Sequence, residues 1–136
     1  MNQFLKAIVA CCIVFVLTSC ASYNKQPDKL VVERLDPLHQ SNAAFKKNIE
    51  DEEEVKKLYD KILRLPSFPR GRFNCPSDNG VQYELTFTLA SKDVSKAIVD
   101  ATGCQGVTMN KKTYSTLNQK GRSFRALLEQ EIGLSD

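Results

Sequence analysis

The side chains best equipped for chemistry in this chain are its five cysteines, Cys11, Cys12, Cys20, Cys75 and Cys104. A thiol can be oxidised, ligate a metal, attack a carbonyl or carry a covalent group, and its neighbours decide which. A redox dithiol wants Cys-x-x-Cys, which does not occur, and a zinc centre wants four ligands, whereas the sole histidine, His39, stands apart in a polar stretch. No Ser-His-Asp or Cys-His set builds around that histidine. Glu84 and Asp100 are the carboxylates to weigh for glycosidase-like chemistry, but both fit exposed positions of strands. Neither Gly-x-Gly-x-x-Gly nor a phosphate loop is present. These residues point to no catalytic set, no metal and no cofactor. A candidate binding loop runs from Pro66 to Arg72, where Phe68, Arg70 and Arg72 stand between and beside prolines that lower the entropy cost of docking. The alternative for the same loop is that Phe68 plugs the edge of the core and the arginines are merely solvated.

The first three cysteines belong to a targeting segment. Lys6 and the amino terminus make a positive start, Ala7 to Leu17 is an unbroken apolar run of 11 residues, and small polar residues follow, the layout of a secretory signal. As a helix the run rises about 16 Å, against a hydrocarbon core about 30 Å thick, so a permanent span is disfavoured. The sequence Leu17-Thr18-Ser19-Cys20 resembles the lipobox of bacterial lipoproteins. That resemblance implies cleavage before Cys20, a thioether from its sulfur to diacylglycerol and acylation of the new amine. Two or more acyl chains on one residue suffice for stable membrane attachment. The alternative is a short anchor helix with buried cysteines. Cys11 and Cys12 would leave with residues 1–19. In a cell with two membranes, Ala21 after the lipidated cysteine resembles the pattern that permits export to the outer membrane.

Cleavage removes one charged side chain, Lys6, and takes the net charge from +3 to +2. That is too mild for a nucleic-acid reader, and no basic stripe interleaved with aromatics is seen. Residues 20–47 are polar and broken by Pro27 and Asp36-Pro37, the composition of a tether with a reach of roughly 30 Å. An edge strand over Lys29 to Leu35 is the competing reading.

The elements that must position any site follow from residue 48 to residue 136. Asp51 to Leu65 carries Val55, Leu58, Tyr59, Ile62 and Leu65 at helical spacing. Asp51 and Glu54 form a capping-box pattern, Glu52–Lys56 and Glu53–Lys57 are four-residue ion pairs, and Pro66 ends the helix. The acidic run is a solvated helix start rather than a metal site. Val81 to Leu89 alternates as a half-buried strand, Ala90 to Asp93 turns the chain, and Val94 to Ala101 returns as its hairpin partner. Val107 to Met109 is a short third strand, followed by a polar turn at Asn110 to Lys112. A final helix runs from Ser123, its cap, to Ile132, with Gly133 as terminator. The expected fold is α+β, a small two-layer domain in which a three-stranded antiparallel meander packs against two amphipathic helices.

Cys75 and Cys104 flank the hairpin, whose two ends an antiparallel pairing brings together, so a disulfide between them is expected and suits an exported compartment. From Leu58 to Met109 the chain resembles small uncharacterised lipoproteins and secreted proteins of Gram-positive bacteria. The shared residues are the Leu-Pro loop, Cys75-Pro76-x-Asp78, the aromatic strand and Gly103-Cys104 before Val107-Thr108. The resemblance implies a cell type and supports the cysteine pairing; it implies no activity. Taken together, the sequence leads to an expectation of a non-enzymatic, lipid-anchored module on the extracytoplasmic face of the membrane, with an envelope protein as candidate partner. The competing expectation is a protease inhibitor that presents the loop from Pro66 to Arg72.

Overall fold

The computed structural model describes residues 26–37, 45–71 and 74–134. Six strands and two helices succeed one another along the chain. β1 (Lys29–Leu35) and β2 (Lys46–Ile49) come first, then α1 (Glu52–Leu63), β3 (Gln82–Leu89), β4 (Lys92–Asp100), β5 (Gly106–Met109), β6 (Lys112–Ser115) and α2 (Gln119–Ile132). The strands form one sheet in the order β2-β1-β3-β4-β5-β6, and every neighbouring pair is antiparallel. The α+β class holds, but the sheet has six strands, not three.

Two of the extra strands come from the stretch with tether-like composition. β1 lies inside the sheet, pairing Leu30 with Ile49 on one side and with Phe87 on the other. Leu30 and Val32 are fully buried, and burying two such side chains contributes about 1.5 to 3 kcal/mol each, enough to fix the strand in place. Lys29 and Glu33 belong to the other side of the pleat, where Glu33 meets Lys46 of β2 at 2.6 Å. Average polarity over the segment mixes these two faces and hides the strand. β6 is the third addition. Asn110 and Lys111 both have positive φ, 52° and 63°, as a two-residue hairpin turn of primed type requires, so the chain must return as a strand from Lys112. A similar turn at Ala90 and Ser91, φ 50° and 65°, joins β3 to β4. A bulge between Phe87 and Thr88 leaves Val94 out of register and exposed.

Both helices cover the same face of the sheet. Val55, Leu58 and Ile62 of α1 and Phe124, Leu128 and Ile132 of α2 share one core with Leu30, Val32, Leu85, Phe87, Ala97, Val99, Val107 and Met109. Tyr59 closes on Phe87 edge-on, with ring centres 5.1 Å apart. α1 starts where Asp51 accepts the N–H groups of Glu53 and Glu54 at 2.9 and 3.2 Å. Lys57 pairs with Glu54, at 2.6 Å, rather than with Glu53. α2 begins a turn earlier than Ser123: Asn118 is the cap and accepts the Gly121 N–H at 2.8 Å, while Gly133 closes the helix with φ 77°. Gly121 cannot be anything larger, because a Cβ there would lie 2.1 Å from Thr116 Cα.

Candidate functional site

The cysteines come together as the hairpin geometry requires. Cys75 and Cys104 form a disulfide with Cα atoms 4.8 Å apart, next to the paired ends of β3 and β4 at Gln82 and Asp100. Around it the loops are tied by side chains. Thr102 Oγ1 donates toward Asp78 and Asn79 at 3.0 and 2.8 Å, and accepts the Asn79 N–H at 3.1 Å. The guanidinium of Arg125 donates to the carbonyls of Asp100 and Ala101, both at 2.8 Å, and so fixes α2 to the end of β4. This rim is built as a scaffold, with its polar groups spent on each other.

The two carboxylates singled out for acid–base chemistry share the uncovered face of the sheet, each with partners of its own. Glu84 takes the ammonium of Lys96 at 3.0 Å, and the ion pair holds Lys96 above its ordinary pKa. Asp100 accepts from the Gln82 amide at 2.9 Å and from the Gly106 N–H at 3.2 Å. On the same face, the hydrogen bond from Lys46 pulls Glu33 below the usual carboxylate range. Among the described residues no three His, Cys, Asp or Glu side chains gather as a metal site would need.

The candidate loop is partly absorbed into the sheet. Ser67 stands opposite Tyr114, the Phe68 N–H donates to the Thr113 carbonyl at 2.9 Å, and the Ser115 N–H donates to Pro66 at 2.9 Å. Phe68 is half-buried, whereas Arg70 is exposed. Arg72 lies outside the described residues, as do Cys20, the rest of the lipobox and His39.

A feature that motif reasoning passed over lies between the helices. Lys57, Lys61 and Arg64 recur along one flank of α1 at four- and three-residue steps, and that flank faces the first turns of α2. There a cleft of about 340 Å³ is lined by Lys61, Arg64, Gln119, Lys120 and Ser123. The Lys61 ammonium donates to Ser123 Oγ at 2.7 Å and so joins the two walls. A smaller groove of about 210 Å³, lined by Lys57, Asp60, Lys61 and Arg64, continues along α1. Among the described residues neither Arg64 nor Lys120 has a carboxylate within ion-pair distance. The cationic stripe on α1 was visible as spacing; its meeting with Lys120 depends on how the helices pack.

Comparison of the chain with protein-family models, with curated proteins and with solved structures gives no match. No helix among the described residues is long and apolar enough to cross a membrane.

Proposed function

We propose that this chain is a lipid-anchored extracytoplasmic lipoprotein whose small domain is a non-enzymatic binding module of the cell envelope. The anchor rests on Leu17-Thr18-Ser19-Cys20, with Cys20 as the acylated residue on the cell membrane, or on the outer membrane where the cell has two. An exported location also accords with the Cys75–Cys104 disulfide. The observation that carries the binding reading is the basic cleft between the helices, a concave site whose lining is rich in donors and free of carboxylates. By contrast, Glu84 and Asp100 are engaged in bonds that hold the sheet together. The test is fractionation of cells that express the wild-type chain or Cys20→Ala. Wild type is expected with the membranes and the variant released from them; a variant retained on the membrane to the same extent overturns the anchor. Turnover of a peptidoglycan, peptide or sugar panel by the purified chain overturns the non-enzymatic reading.

A second reading, protease inhibition by the loop from Pro66 to Arg72, is favoured by one observation. The loop is pinned to β6 at Ser67 and Phe68 just before exposed Arg70, so that arginine is presented from a fixed base. An absence of inhibition of a trypsin-like protease at micromolar chain removes this reading.

A further inference from the structure

We propose that the cleft between α1 and α2 binds a phosphate ester, with Arg64, Lys61 and Lys120 neutralising the phosphate and Ser123 donating a hydrogen bond to it. The inference rests on the reading of the domain as an envelope binding module and names the chemistry of its ligand.

Three of the five side chains that line the cleft are cations, none is an anion, and Gln119 and Ser123 add neutral donors. Lys61 already donates to Ser123 Oγ, which fixes that oxygen as an acceptor and leaves the hydroxyl hydrogen for another acceptor. A cation is repelled from such a cleft, and an apolar ligand leaves the donors unpaired.

Among anions, geometry distinguishes phosphate from carboxylate. A guanidinium engages two oxygens side by side, and an ammonium acts as a compact point charge. A carboxylate has only two oxygens, and once Arg64 takes both side by side the lone pairs that remain lie in the same plane. A phosphate monoester presents three terminal oxygens arranged tetrahedrally, so groups on both helices can be met at once. The volume, about 340 Å³, exceeds what a bare ion needs and matches the small end of ligand pockets, roughly 300 to 1,000 Å³. A phosphate carrying a short polyol fits that size. Asp60 lines the adjoining groove together with Lys57, Lys61 and Arg64, so the side of these cations free of a carboxylate is the one toward α2.

Such a group has two sources in an envelope, a lipid headgroup or a soluble phosphate ester. The test uses the full chain in neutral detergent micelles and follows the backbone amide signals of Arg64, Lys120 and Ser123. One arm titrates glycerol 1-phosphate; the other dopes the micelles with phosphatidic acid, whose headgroup is a phosphate monoester, against phosphatidylcholine, a zwitterionic diester, as control. Saturable shifts confined to the cleft are expected in at least one arm, weakening as salt is raised. Arg64→Gln/Lys120→Gln should lower the affinity by about tenfold or more, after discounting charge-assisted bonds for exposure. Lys92→Gln/Lys112→Gln, an equal loss of charge on exposed residues elsewhere, should leave it unchanged. A response to glycerol 1-phosphate alone assigns a soluble ester, and a response to phosphatidic acid assigns the headgroup. No response in either arm overturns the proposal, as does equal weakening by both double variants. If phosphate fails while binding to isolated envelopes still depends on Arg64 and Lys120, the ligand chemistry is wrong and the binding module stands.

Discussion

Gly121→Ala is the substitution whose sign separates local preference from packing. In an isolated helix it stabilises by about 1 kcal/mol, because alanine is the better helix former. Here the added Cβ would lie 2.1 Å from Thr116 Cα and 2.3 Å from both its carbonyl carbon and oxygen, where ordinary contact is about 3.5 to 4 Å. All three are main-chain atoms, so no rotamer change relieves the overlap, and the first turn of α2 must move by more than an ångström. That movement strains the cap bond from the Gly121 N–H to Asn118 and the bond from buried Thr116 Oγ1 to the Gln105 carbonyl. Overpacking at about 3 kcal/mol and two weakened hydrogen bonds at about 0.5 to 1.5 kcal/mol each, less the propensity gain, leave a net loss of about 3 to 5 kcal/mol. In urea, with a slope of about 2 kcal/mol per molar, the midpoint should fall by about 1.5 to 2.5 M. Gln130→Ala, on the exposed side of the same helix, serves as control and should stay within about 0.5 kcal/mol. A Gly121→Ala chain as stable as wild type, or more so, refutes the close approach. Because the same turn carries Lys120 and Ser123, the variant should also disturb the basic cleft.

The remaining predictions concern the bridge and the charged face of the sheet. Reduction of Cys75–Cys104, or a double alanine variant, should cost about 3 to 4 kcal/mol by loop closure across its separation of 29 residues, read as a lower denaturation midpoint. A midpoint unmoved by reduction contradicts this. Glu33 has its folded-state pKa lowered by Lys46, so the pair contributes stability above the unfolded carboxylate pKa and loses it as pH falls through the folded value. Stability curves of wild type and Glu33→Gln should therefore run parallel at neutral pH and converge in acid; parallel curves throughout refute the assignment. For Lys96, raised by Glu84, the sign reverses: the contribution is complete below the unfolded lysine pKa and disappears as pH rises through the folded value. Lys96→Gln should accordingly differ from wild type at neutral pH and meet it in strong alkali.

Legibility in the sequence followed how far each element carries its own pattern. α1 announced itself through Asp51 at its start and apolar residues at helical spacing, and the β3–β4 hairpin through clean alternation from Val81 to Leu89. The cysteine pairing followed from that hairpin. β1 was legible only as an alternative, because Glu33 and Arg34 interrupt its apolar run and its burial depends on partners far along the chain. β2 and β6 have four residues each, with Ile49 and Ser115 their only buried side chains, too little for any periodicity. The early start of α2 was concealed because its first turn, Gln119-Lys120-Gly121, reads as a polar loop. The cleft was half legible: the spacing of Lys57, Lys61 and Arg64 lies in one helix, whereas Lys120 joins them only through tertiary packing.

Maturation at Cys20 is the step that would put the domain on the membrane surface. Mass spectrometry of the amino-terminal peptide from membrane-purified protein tests that point directly. The predicted result is a peptide that begins at Cys20 and carries the mass of a diacylglyceryl group on its sulfur. A peptide that still contains residues 1–19, or one that begins at Cys20 with an unmodified thiol, contradicts it.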